Sequence, residues 1–251
     1  MKRALKRAAL AAFAIVGIER TARALRARLR ASGVGSWRPL VPETAFADCV
    51  RRAVAAIRAA GPGRPFGDYL EFGVSRGTSL AVVHHVLAES GLPGVRLIGF
   101  DSFEGMPPDA AREGWQPGQF HSTLGATRRY LAARGVDLRR VALVKGWFSE
   151  TLTPETRERL GIRRAGLIMI DCDIHSASRA ALDFSEPHIR GHAVIMLDDW
   201  GWRADGGKVG QKEAFEEFLA AHPDLVAEPL ESYLPQARVF MVTRPEAAAP
   251  R

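Results

Sequence analysis

The apolar run IMLDDW, residues 195–200, closes on two adjacent carboxylates, and neighbouring negative charges repel unless water or a cation screens them. A second apolar run, IMIDCDIHS, also breaks off at acids, Asp171 and Asp173. If the two runs are neighbouring strands, Asp171, Asp173, Asp198 and Asp199 meet at one sheet edge. There they would raise one another's pKa unless a cation sat among them. Carboxylate oxygens suit a hard divalent ion, with Mg²⁺ the default candidate. Helix capping accounts readily for Asp173 or Asp199, but not for all four acids. Alternate residues of a strand share a face, so Asp171 and Asp173 point the same way unless the strand has already ended.

A second constellation lies upstream, in YLEFGVSRGTS (69–79). Gly73 permits a tight turn, and Gly77 opens the next helix with no side chain over its exposed amides. The spacing is Gly-x3-Gly, not the dinucleotide fingerprint G-x-G-x-x-G. Glu71, just before the turn, suits a ligand carrying an ammonium or sulfonium charge better than a pyrophosphate. The next apolar run ends IGFDSFEG, and its Asp101 stands where α/β nucleotide sites accept hydrogen bonds from ribose hydroxyls. A glycine turn followed 28 residues later by such an acid is more specific than either feature alone.

Positioning these groups requires strands, and the pattern supplies them. Apolar runs at 68–73, 95–101, 141–146, 166–172 and 193–198 read as strands, as do 225–231 and 237–244. Helical segments are expected over 44–60, 77–90, 122–134, 153–160, 176–187 and 208–221. Continuous apolar strands alternating with helices indicate an α/β chain with a parallel sheet covered on both faces. Ligands of such sheets bind beyond the carboxyl ends of the strands, which is where the acids fall. The turn cluster GPGRPFG (61–67) marks a boundary. It divides a basic helical tail (1–30) and a linker with one helix (31–60) from a catalytic-type domain (61–246).

The formal charge of +7 belongs to that tail: residues 1–30 hold nine basic side chains and one acid, leaving the other 221 residues at −1. The neutral body and the lack of interleaved aromatics in the tail argue against nucleic acid. Its uncharged stretch, Ala8–Ile18, is too short to span a bilayer, so a basic helix lying on an anionic membrane surface is the functional reading. A solvated or oligomer-contacting helix is the plain alternative. Two distant cysteines, Cys49 and Cys172, form no disulfide framework and fit a reducing cytosol.

In order, the segments YLEFGVSRGTS, IGFDSFEGMPP, VALVKGWFSETL, IDCDIHSAS, IMLDDWG and GQKEAFEEF resemble the macrocin-type (TylF/MycF-like) O-methyltransferases, over about residues 68–220. The resemblance implies a Rossmann-like class I sheet of seven strands with the last antiparallel, and S-adenosylmethionine as methyl donor. It places the donor over the turn holding Glu71, Gly73, Ser75, Arg76, Gly77 and Ser79, with Asp101, Ser102 and Phe103 beside the adenosine. It assigns Mg²⁺ to Asp171, Asp198 and Asp199, with Asp171 also counted as catalytic, and a general base to the segment containing His121. The family pattern DLYEST becomes DIHSAS here, which puts His175 and Ser176 where a tyrosine and a glutamate are usual and makes His175 a rival base. A homo-oligomer is implied as well, with the helices before residue 61 as contact.

The expected reaction is methylation of a hydroxyl on a sugar-containing metabolite or bacterial glycan. A sugar hydroxyl is a poor nucleophile at neutral pH, so the ion and a histidine would activate it, and positioning would dominate because the leaving group is already activated. The loop 103–121, with Phe103, Met106, Trp115 and Phe120, reads as a substrate-covering lid. Trp200 and Trp202 either wall the acceptor pocket or pack in the core. A non-catalytic binding protein on the same fold is one alternative. A nicotinamide-dependent oxidoreductase is another, which gives the three metal acids no role.

Overall fold

The computed structural model describes residues 41–202 and 209–245, together with Leu25, Arg28, Leu29, Ala31 and Ser32. The basic tail expected over 1–30 therefore lies outside the described residues except at Leu25, Arg28 and Leu29. Helix α1 (Glu43–Ala60) leads into strand β1 (Asp68–Phe72), α2 (Thr78–Glu89), β2 (Leu97–Asp101), α3 (Leu124–Ala133) and β3 (Val141–Lys145). Two short helices follow, α4 (Phe148–Thr151) and α5 (Pro154–Leu160), then β4 (Ala165–Ile170), α6 (His175–Ser185) and β5 (His192–Leu197). Helix α7 (Gln211–Ala221) and the strands β6 (Val226–Leu230) and β7 (Arg238–Thr243) close the chain. Each strand lies within two residues of its sequence-based bounds, while α4 and a 3-10 turn at Pro108–Glu113 were not expected.

The seven strands form one sheet in the order β3-β2-β1-β4-β5-β7-β6, with β7 antiparallel to both neighbours and the rest parallel. This is the class I methyltransferase sheet expected from the resemblance. The central strands β1, β4 and β5 are buried along their whole length, which is why they read as unbroken apolar runs. Successive side chains alternate between two cores. Tyr69, Leu167, Met169 and Val194 pack with α1 and α2. Leu70, Phe72, Ile168 and Ile195 face the other way, toward Leu182 and Phe184 of α6 and Phe215 of α7. Phe72 and Phe100 stack at 5.1 Å, and Phe148 of α4 and Phe184 close on Phe72 edge-on, each at 6.0 Å.

Register sets the site. Phe72 pairs with Phe100 and with Ile170, and Ile170 pairs with Leu197. The next residues, Gly73, Asp101, Asp171 and Asp198, therefore leave the sheet level with one another. The ladder runs one residue further: the Asp171 amide donates to the Phe72 carbonyl at 2.8 Å and the Asp198 amide to the Ile170 carbonyl at 3.1 Å. Local capping then starts the helices. The Thr123 hydroxyl accepts from the Ala126 amide for α3, and Thr153 caps α5 ahead of Pro154. No helix among the described residues is long and apolar enough to cross a membrane.

Candidate active site

The turn after β1 is held from below. Glu71 is fully buried, and its carboxylate accepts from the Tyr69 hydroxyl at 2.6 Å and the Ser79 hydroxyl at 2.7 Å. Burial pushes its pKa up to about 7, against the two hydroxyls that favour the charged form. Glu71 thus ties β1 to the start of α2 from beneath the turn. Gly73 has φ 90, and a β-carbon there would stand 1.7 Å from the Asp171 carbonyl oxygen. Asp101 gathers the turn from the other side: its Oδ2 accepts from the Ser75 amide at 2.7 Å and its Oδ1 from the Phe103 amide at 2.5 Å. Ser75 and Phe103 are held at positive φ, 45 and 52. Such backbone strain in non-glycine residues clusters at ligand sites.

Ser102 donates to the Gly105 carbonyl at 2.9 Å and accepts from the Glu104 amide, bracing the start of the loop. The Thr127 hydroxyl donates to the Ser75 carbonyl at 2.5 Å, and Gly77 sits in the left-handed region at φ 85, where it caps α2. Arg76 is buried beside the turn, its pKa lowered by burial and then by Arg129. Nine donor-site residues named from the sequence thus surround one turn.

Gly73→Ala is expected to cost at least about 3 kcal/mol, because both the left-handed backbone and the Asp171 carbonyl oppose a methyl group. Gly63→Ala is the control. It also has positive φ, 76, but meets nothing within 4 Å, so only the backbone cost of about 1 kcal/mol remains. Urea midpoints of the two variants would separate clash from strain.

On the other side of the cleft, Asp171, Asp198 and Asp199 each offer an oxygen within 4.8 Å of the other two. Asp173 lies beside this set but not in it: β4 has ended, Asp173 turns at φ 61, its amide donates to Asp199 Oδ2 at 3.0 Å, and its charge bears on both Asp199 and Asp171. Burial, then the neighbouring acids, pushes Asp171 and Asp199 well above the usual carboxylate range. Burial raises Asp198 too. Buried carboxylates gathered this tightly fit a hard divalent cation, and an all-oxygen set suits Mg²⁺.

Three supporting residues escaped the sequence reading. The buried Tyr233 hydroxyl donates to Asp198 Oδ1, and its ring packs on Phe46 of α1 at 5.0 Å. Gln211 accepts from the Asp199 amide at 2.9 Å and donates to the Ile170 carbonyl at 3.0 Å, fixing the acid pair on the end of β4. Glu113, in the 3-10 turn of the lid, accepts from the His175 amide at 2.6 Å and the Ser176 hydroxyl at 2.8 Å. It caps α6 from outside and ties the loop 103–121 to that helix. Gln211 lies within the quoted GQKEAFEEF, but nothing around Tyr233 or Glu113 marks them in the sequence.

His121 is exposed, two residues before the α3 cap. His175 starts α6, with its Nε2 3.1 Å from Glu217 Oε2. Trp200 packs on Phe240 and Phe215, at 5.3 and 5.8 Å, so of the two readings core packing holds for it. Trp202 lies half exposed, its ring 6.1 Å from that of Trp115. Cys172 is half-buried beside Ser178, and burial raises its thiol well above the usual range, so it is no ready nucleophile. The site can therefore hold a nucleoside-bearing ligand on the β1–β2 side and a hydroxylated one against the acids.

Comparisons with known proteins point the same way. The profile of the macrocin O-methyltransferase (TylF) family matches residues 44–232. A Streptomyces olivaceus protein, 8-demethyl-8-(2,3-dimethoxy-alpha-L-rhamnosyl)-tetracenomycin-C 4'-O-methyltransferase, is 29% identical over 143 residues, 53% of each chain. The chain thus spans about half the length of that curated relative. Among solved structures, the O-methyltransferase NovP aligns at a TM-score of 0.66 and 20% identity, over 87% of this chain and 88% of that one. The calicheamicin methyltransferase CalS11 aligns at 0.59 and 22%, over 77% and 76%. At these identities the two structures speak to the fold.

Proposed function

The chain belongs to the macrocin O-methyltransferase family, and from that premise we propose that it moves the methyl group of S-adenosylmethionine to a hydroxyl of a sugar-bearing acceptor, with a divalent cation at Asp171, Asp198 and Asp199. The observation that carries this reading is the level exit of Gly73, Asp101, Asp171 and Asp198 from four neighbouring strands. The turn after β1 and the acid cluster share one sheet edge, which supports a donor held beside a cation. The Streptomyces relative is named for methylating a rhamnosyl-tetracenomycin, which supports the sugar-linked acceptor.

The residues divide the labour. Asp101 keeps lone pairs beyond its two backbone amides, and these receive the ribose hydroxyls of the donor. Glu71 lends negative charge beneath the turn to the donor's cationic groups. Asp171, Asp198 and Asp199 would hold the cation, which would supply Lewis acidity toward the acceptor hydroxyl when bound. His121 takes the hydroxyl proton as the acceptor oxygen bonds to the methyl carbon and the C–S electron pair returns to sulfur. The lid excludes water from the exchange.

Calorimetric titration with S-adenosylhomocysteine, with NAD as comparison, tests the donor half. Tight one-site binding of the former alone is expected, and its absence would remove the reading. The same titration carries a pH signature. With Glu71 near pKa 7 in the unliganded chain, the ammonium group of the bound ligand favours its charged form, so binding releases a proton below about pH 8. Affinity then falls by up to about tenfold per unit as pH drops below 7. In the unliganded chain the sign is opposite for stability: the contribution of neutral Glu71 is full below its ordinary value of 4.5 and is lost as pH rises through about 7. A Glu71→Gln protein should show neither dependence.

A further inference from the structure

Large aromatic side chains left in water need a reason when they stand together. Phe120 is 46% exposed and Trp202 50%, and both flank Trp115, which is 8% exposed. The Trp115 ring lies 5.9 Å from Phe120 and 6.1 Å from Trp202, tilted by 59° and 37°. These are the spacings of interacting rings, so the three form one arc. Met106, Ala110 and Ile174 fix Trp115 from beneath. Phe120 is locked at φ 61, and its carbonyl accepts from the Ser75 hydroxyl at 3.3 Å. These contacts seat Trp115 and Phe120 against the body of the protein.

Its two ends join the two halves of the site. Phe120 immediately precedes His121, and the Trp202 amide donates to the Asp199 carbonyl at 3.0 Å. We propose that this arc is the subsite for a flat, apolar aglycone of a glycoside acceptor, a reading that rests on the methyltransferase function proposed above. The sugar then lies inward, where His121 and the acids offer polar partners to its hydroxyls. The arc presents mainly carbon faces, which cannot satisfy those hydroxyls but match a planar ring system. Because Phe120 and Trp202 remain half in water, the occupant can extend outward past the lid.

The test uses the full chain saturated with S-adenosylhomocysteine and Mg²⁺, titrated with methylumbelliferyl α-L-rhamnoside and with methyl α-L-rhamnoside. The aryl glycoside should bind about tenfold tighter than the methyl glycoside, equivalent to about 1.4 kcal/mol, as expected for one stacked ring system. Trp202→Ala and Phe120→Ala should each cut that advantage to about threefold or less, while the methyl glycoside changes by less than about twofold. Equal binding of the two glycosides, no binding of the aryl one, or equal losses for both in the variants would overturn the proposal. So would an altered sedimentation mass with unaltered glycoside binding, which would assign the rings to a contact between copies. A protein that fails to bind S-adenosylhomocysteine yet keeps the aryl preference would sink the donor reading and leave the arc standing.

Discussion

An Asp198→Asn/Asp199→Asn protein is expected to lose methyl transfer by at least about a thousandfold while binding S-adenosylhomocysteine within about threefold of the unaltered chain. The donor turn explains the second half. Asp101, Ser75 and Glu71 hold that turn through their own bonds, and none of those bonds involves the acid pair. The first half follows from charge. Asn keeps the shape and the acceptor oxygens used by the Tyr233 hydroxyl and the Asp173 amide, but it removes the two negative charges that would hold a cation. Stability should move the other way. In the metal-free chain, burial and mutual repulsion hold Asp171 and Asp199 well above their usual range, so replacing two of the three acids relieves a cost.

The metal-free double variant should therefore melt higher than the metal-free parent, by about 2–4 °C for each kcal/mol relieved. Mg²⁺ should raise the melting temperature of the parent only, because only a ligand that binds the folded state stabilises it. A variant that keeps its activity, or a parent indifferent to Mg²⁺, Mn²⁺ and Ca²⁺ alike, would take the cation out of the mechanism.

The frame of this site was legible because it depends on local pattern. Unbroken apolar runs bounded the strands, and parallel pairing of such runs leaves little freedom of register once both faces are buried. The acids at their ends could then be placed together before any coordinates. The residues that hold those acids were not legible, because each comes from a distant element. Tyr233 lies 35 residues beyond Asp198, and Glu113 lies 62 residues before His175. Neither contact leaves a periodic trace. Trp200 and Trp202 show the same limit at close range. They are two residues apart, yet one packs against Phe240 and the other lies half exposed beside Trp115, a difference made by the turn after Asp199. The departure DIHSAS also acquired a meaning only in three dimensions. Ser176 and the His175 amide serve Glu113, so a segment read as a change in substrate contacts also anchors the loop 103–121.

That anchoring bears on which histidine takes the proton. His175 is committed on two sides: its amide to Glu113 and its Nε2 to Glu217 of α7. His121 carries no such bond among the described residues; it stands exposed after Phe120, whose carbonyl accepts from the Ser75 hydroxyl of the turn after β1. His121→Ala is therefore expected to lower kcat by about a hundredfold to ten-thousandfold, the usual worth of a positioned base. Its KM and its affinity for S-adenosylhomocysteine should change little, and added imidazole should restore part of the rate. His175→Ala should lower kcat less than about tenfold and melt at most a few degrees lower, because a partly exposed contact such as that with Glu217 contributes only about 0–1 kcal/mol. The reverse pattern, with imidazole rescuing His175→Ala, would move the base to the start of α6. His121 would then be part of the lid alone, and the proton would leave on the acid-cluster side of the acceptor instead of the donor side.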